Sequence, residues 1–127
     1  MRLGKLGLPM PTPLGTKITP KVFEKCYELL GSVNDEDSYV SKAISLEIWD
    51  TEHVSRDGRD DWLRSIYQAY NRDLREIVKL SGMTISSFYR YFGIPRRTFQ
   101  DWIYEKSVAP KYTLFMMQEI LGYVTRY

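Results

Sequence analysis

Arg96 and Arg97 stand side by side in this chain, with Gln100 three residues on. A guanidinium can grip guanine through two hydrogen bonds, and a Gln amide can do the same for adenine. The plain alternative is a solvated helix start. Pro95 just before them marks such a start, and two cations there oppose the helix dipole and cost stability locally. Other reactive groups are sparse. His53 lies among Asp50, Glu52, Asp57, Asp60 and Asp61, but the carboxylates lack the regular spacing of a calcium loop. No second His completes a zinc site. A solvated loop and a helix cap account better for this segment. Cys26 is the only cysteine, which excludes an intrachain disulfide or a cysteine metal cage. It sits on an apolar helix face and reads as an inert core thiol. There is no phosphate-binding Gly loop and no nucleophile motif. Neither an enzyme nor a cofactor is expected.

The elements that must position these groups are helices. The chain has 127 residues, 43% hydrophobic and 27% charged, with ten tyrosines, a composition normal for a globular protein. No apolar run approaches a membrane span, and the N-terminal MRLGKLGLPMPTPLG makes a poor signal peptide, so a cytoplasmic location is expected. Net charge is uneven. Residues 1–71 carry 9 Lys/Arg and 11 Asp/Glu, a net −2, whereas residues 72–127 carry 9 and 5, a net +4. Positive charge concentrated on one module suits contact with nucleic-acid phosphates.

Residues 1–18, rich in Pro and Gly, read as an extended arm. Thr19-Pro20 opens a helix that buries Val22, Cys26 and Leu29 and stops at Gly31. Asn34, Asp35, Glu36 and Asp37 open a second helix, acidic at the dipole's positive end, with Val40, Ala43, Ile44 and Ile48 on its apolar face. Residues 19–61 thus form an acidic helical segment that ends in a loop over 50–61, centred on Asp57-Gly58. From about Trp62 one helix keeps its spacing through Leu63, Ile66, Tyr67, Tyr70, Leu74, Ile77 and Val78, ending before Gly82. Residues 62–127 form the second domain.

Within it, Thr84 caps a short helix with Ile85, Phe88, Tyr89 and Phe92 on one face. Gly93 supplies a left-handed turn, Ile94 plugs the turn into the core, and Pro95 starts the next helix. Phe99, Trp102 and Ile103 are its buried face, a core rather than a base-stacking platform. Arg97, Gln100, Asp101 and Tyr104 point away from it, with Arg96 on the flank. Asp101, one turn on, is also a candidate to hold Arg97. Met83-Thr84, Phe88, Phe92-Gly93-Ile94, Phe99 and Trp102 resemble the helix-turn-helix of the Cro/phage-repressor (XRE-like) family. Residues 74–82 resemble that family's first helix and residues 111–122 its closing helix, so the likeness covers 72–122. The resemblance implies that the second helix of the pair lies in the major groove and reads bases from its N-terminal residues. It thereby implies a DNA-binding set of Arg96, Arg97, Gln100, Thr84, Ser86, Arg90 and Tyr104. Two positions depart from the family. Tyr89 stands where a small Ala is usual, so it must push the two helices apart or slide to their edge. Ile85 stands where a phosphate-touching Gln is common.

The closing helix carries two apolar stripes: Leu114, Met117 and Leu121 on one, Phe115, Met116 and Ile120 on the other. A helix apolar nearly all round needs cover on both sides. That cover is either the chain's own N-terminal helices or a second copy, as two-fold DNA sites favour. A homodimer would form through the C-terminal helix or the N-terminal helices. The expectation is an all-α protein of five to seven helices that binds double-stranded DNA as a transcriptional regulator. The alternative is a protein-binding module on the same scaffold, such as a phage or mobile-element anti-defence (anti-CRISPR-like) inhibitor.

Overall fold

A computed structural model describes residues 18–49 and 55–126. They form seven α-helices and, among the described residues, no strand: α1 Pro20–Glu28, α2 Glu36–Ile44, α3 Arg56–Asn71, α4 Leu74–Ser81, α5 Ile85–Phe92, α6 Arg96–Ile103 and α7 Lys111–Leu121. No helix among these residues is long and apolar enough to cross a membrane. The all-α expectation holds. The arm expected over 1–18 lies outside the described residues except for Ile18, which is buried.

Local chemistry accounts for the helix starts. The Thr19 hydroxyl accepts the Val22 N–H at 3.3 Å. The Asp35 carboxylate accepts the Ser38 N–H at 2.8 Å, a cap worth ~1 kcal/mol at a typical site. α1 runs into a 3-10 turn at Leu29–Ser32. That tighter winding turns Leu30 inward in place of the expected Leu29. Phe23, Cys26 and Leu30 are buried, while Val22 and Leu29 are only half-buried. On α2 the buried residues are Tyr39, Val40 and Ala43. Tyr39 can be fully enclosed because its hydroxyl donates to the Cys26 carbonyl at 2.8 Å.

Two expectations about α3 fail. Residues 56–61 are helical rather than loop. Ser55 accepts the Gly58 N–H at 3.0 Å, and Asp57 lies in the first turn. A cap of ~1 kcal/mol and a favourable dipole contact of about 0.3–1 kcal/mol offset the ~1 kcal/mol that a helical glycine costs. Nor does one helix run from 62 to 81. The backbone is extended at Arg72 (φ −75°, ψ 135°), and Asp73 restarts it with a capping box. Its carboxylate accepts the Glu76 N–H at 2.8 Å, and the Glu76 carboxylate accepts the Asp73 N–H at 3.1 Å. Reciprocal capping of this kind satisfies two otherwise orphaned donors, which a continuous helix would not need.

Buried side chains fall into two clusters. One joins α1, α2 and α3 with Phe115 and Val124; the other joins α4 to α7. The α3 residues Trp62, Leu63, Ile66 and Ala69 belong to the first cluster, so the cores divide after α3 and not at residue 62. α7 serves both clusters, since Leu114, Met117 and Leu121 enter the second while Phe115 enters the first. The Phe115 ring lies 5.9 Å from Phe23 and 5.5 Å from Tyr27. The chain's own N-terminal half therefore covers Phe115, which is unavailable as a dimer contact. Met116 and Ile120 remain exposed. Trp62 Nε1 donates to the Thr125 carbonyl at 2.8 Å and ties the C-terminal tail to α3. Arg64 meets Glu36 at 2.7 Å and Asp37 at 3.0 Å, so part of the acidic charge of α2 is answered inside the protein.

Candidate nucleic-acid interface

The pair α5–α6 presents the residues singled out in the sequence. Thr84 caps α5 by accepting the Ser87 N–H at 3.1 Å. Phe88 is fully buried, Tyr89 and Phe92 are half-buried, and Ile85 is exposed. Ile85 is a correction: it sits in the first turn of α5 but outside the buried face. α5 ends at Gly93, whose φ of 70° is a left-handed value that costs other L-residues about 1–2 kcal/mol. The Gly93 N–H returns to the Arg90 carbonyl at 3.1 Å and the Ile94 N–H to the Tyr89 carbonyl at 2.9 Å. Pro95 occupies the capping position, with ψ 137°, and not the first helical turn.

α6 buries Phe99 and Ile103, while Trp102, expected to be buried, is half-buried against the second cluster. Phe99 locks the pair together, with its ring 5.6 Å from Phe88 and 5.7 Å from Tyr89. Tyr89 is thus half-buried, packed against the second cluster with its ring beside Phe99. The far end of α6 is anchored to α4 by Arg75, which donates to the Ile103 carbonyl at 2.8 Å. Just beyond it, Glu105 adopts a left-handed conformation with φ 60°.

The seven candidate residues divide into two groups. Arg96, Arg97 and Tyr104 are exposed and Gln100 is half-buried, all on α6 or at its end. Neither Arg96 nor Arg97 makes a side-chain bond among the described residues, and the Arg97–Asp101 pair does not form. The other three are engaged within α5. Arg90 donates to the Ser86 carbonyl at 3.2 Å and to the Ser86 hydroxyl at 3.0 Å, and the Thr84 hydroxyl is spent on its cap. The structure therefore brings Ser86 and Arg90 to each other and leaves Arg96 and Arg97 to solvent.

The start of α6 also differs from the starts of α1 to α5, each of which has a side-chain cap. Pro95 offers none, so the first N–H groups of α6 keep their hydrogen-bonding capacity beside two guanidinium groups. Unsatisfied helix-start donors attract anions. α7 likewise begins after an uncapping proline. There, however, Lys111 is occupied, donating to the Tyr70 carbonyl at 3.1 Å and lying 4.7 Å from the Tyr70 ring.

The charge count of the C-terminal half conceals how many cations are spent internally. Arg72 donates to Gln118, Arg75 to Ile103, Arg90 to Ser86, Lys111 to Tyr70, and Arg126 pairs with Glu119 at 2.7 Å. Among the described residues, Lys79, Arg96, Arg97 and Lys106 are the cations of this half without such a bond. Lys79 and Lys106 were missed in the sequence; only the overall charge excess pointed to them. Cys26 is completely buried and desolvation pushes its thiol up to about 12, which fits the inert-thiol reading. Among the described residues no group of three or more His, Cys, Asp or Glu side chains is placed to hold a metal ion. His53 lies outside the described residues. Comparison of the chain with protein-family models, curated proteins and solved structures returned no match.

Proposed function

We propose that the protein binds double-stranded DNA in a sequence-specific way, as a transcriptional regulator of phage-repressor type, with α6 as the reading helix. The observation that carries this reading is the state of Arg96 and Arg97. Both are exposed on the uncapped first turn of α6 and neither is tied to the protein. Arginines that oppose a helix dipole without an internal partner cost stability locally, and an external anion is the partner that removes that cost. In this reading Gln100 follows one turn later, toward base edges, and Tyr104 stands at the far end of the helix. Thr84, Ser86 and Arg90 play a smaller part, because their polar groups are already engaged in α5.

A second reading is favoured by a specific observation. Ile85, Tyr91 and Tyr104, all on α5 or at the end of α6, are exposed large apolar residues. Aromatic side chains with an arginine among them make good anchors in a protein interface. In that case the helix pair is a scaffold for a protein partner, as in an anti-defence inhibitor. Binding of the full-length protein to fragments of its own genome across a salt series separates the two. DNA retained at low salt and released as salt rises supports the regulator. No retention at low salt removes it and leaves the scaffold reading.

A further inference from the structure

A groove of about 590 Å³ runs between α1 and the start of α7, walled by Ile18, Phe23, Tyr27, Tyr112 and Phe115. Its size is that of a ligand or peptide site. Glu24 and Glu28, one turn apart on α1, form one rim. Arg126 closes the other side, but its charge is already met by Glu119 at 2.7 and 2.9 Å and it stacks 4.6 Å from the Phe23 ring. Glu28 has only a loose contact with Lys25, at 3.9 Å. The groove therefore offers apolar and aromatic walls with an excess of negative charge.

We propose that the occupant is the chain's own residues 1–17. Three features of the sequence fit this groove. Ile18 is part of its wall, so the chain enters the groove's edge directly from residue 17. Residues 1–17 contain Arg2, Lys5 and Lys17 and no Asp or Glu, complementary to the rim of Glu24 and Glu28. They also contain Leu3, Leu6, Leu8 and Leu14, with Pro9, Pro11 and Pro13 between or beside them. Proline lacks an N–H that would need a partner, and proline-spaced segments dock in aromatic-lined grooves at low entropic cost. Docking covers Tyr112, otherwise one of the most exposed aromatic side chains of the described residues.

The test uses the full chain with a nitroxide attached to Gly4→Cys. Cys26 is completely buried and does not take the label. The backbone amide signals of Phe23, Tyr27 and Tyr112 are expected to lose several-fold more intensity than those of Ser86 and Arg90. The preference should vanish in Leu6→Asp/Leu8→Asp and in Glu24→Lys/Glu28→Lys. The first variant changes residues that precede the described ones and the second changes exposed ones, and circular dichroism checks that both stay folded. Equal loss at the two places overturns the proposal, as does a preference that survives both variants. So does a preference seen only between a labelled chain and a separate isotope-labelled chain, because the segment then serves a second copy.

Discussion

Arg72 donates to Gln118 Oε1 at 3.0 Å across the two-residue joint between α3 and α4. On its other side the amide of Gln118 donates to the Ala69 carbonyl at 2.7 Å and to the Leu114 carbonyl at 3.2 Å. Gln118 is completely buried, yet every hydrogen-bonding direction it needs is met by α3, the joint and α7. The joint places the two cores relative to each other, so this amide fixes how the acidic half sits on the basic one.

Replacing it tests that role. Gln118→Leu keeps nearly the same volume but removes the shorter hydrogen bond to the Ala69 carbonyl, which keeps only the Arg72 N–H at 3.4 Å, and releases the Arg72 guanidinium. An ordinary intramolecular hydrogen bond contributes about 0.5–1.5 kcal/mol, and one to a charged group roughly 1.5–3 kcal/mol. We expect a loss of about 2–4 kcal/mol in urea unfolding. A change below roughly 0.5 kcal/mol, the scale of an ordinary surface substitution, would show that the joint is held by packing alone.

The two arginines of α6 make the sharpest functional prediction. Arg97→Ala is expected to cost about 1–3 kcal/mol on a specific site and to relax sequence preference there. Thermal stability should hold or rise slightly, since both side chains are exposed and oppose the dipole. Unchanged affinity for the double variant Arg96→Ala/Arg97→Ala, measured by gel shift, removes α6 as the reading helix.

Salt dependence tests the count of available cations. Lys79, Arg96, Arg97 and Lys106 are the ones without internal bonds. At ~0.9 per phosphate neutralised, the log–log slope should fall between about −2 and −4 per chain. A partner held by tyrosine and apolar contacts gives a much flatter response. A slope much steeper than −4 would mean that the internally bonded cations are released on binding.

Phe115 and its neighbour Met116 should behave oppositely. Phe115→Glu places a charge between Phe23 and Tyr27 and should melt the protein, since even Phe→Ala in a core costs about 3–5 kcal/mol. Met116→Glu and Ile120→Glu alter exposed positions and should leave circular dichroism unchanged. If Met116→Glu lowers the mass seen by light scattering while the fold stays intact, the exposed stripe is an association surface.

Cys26 offers a check on the first core. Its thiol is pushed up to about 12, and the thiolate is the reactive form. At pH 8 the native protein should therefore resist thiol reagents, and labelling should track unfolding by denaturant. Fast labelling without denaturant would place Cys26 outside the core.

Much of the helical framework is written locally in the sequence. Thr19, Asp35 and Thr84 cap helices where their types predict, Gly93 turns left-handed, and Phe88 and Phe99 fall on inward faces, because each depends on neighbours within a turn or two. Even two of the missed boundaries had local signals. Asp73 and Glu76 carry the spacing of a capping box, hidden by an apolar periodicity that runs on unbroken, and Ser55 with Asp57 starts α3 ahead of a glycine that suggests a turn. What no local reading yields is the allocation of polar and apolar groups between partners far apart in the chain. Phe115 is buried and Met116 exposed because α1 lies on one side of α7 only. Gln118 is an interior clamp because residues 69 and 72 meet it there. Arg72, Arg75 and Lys111 are spent on distant carbonyls and an amide while Arg96 and Arg97 are left free. Those outcomes are settled by competition among long-range contacts, which exists only once the helices are packed.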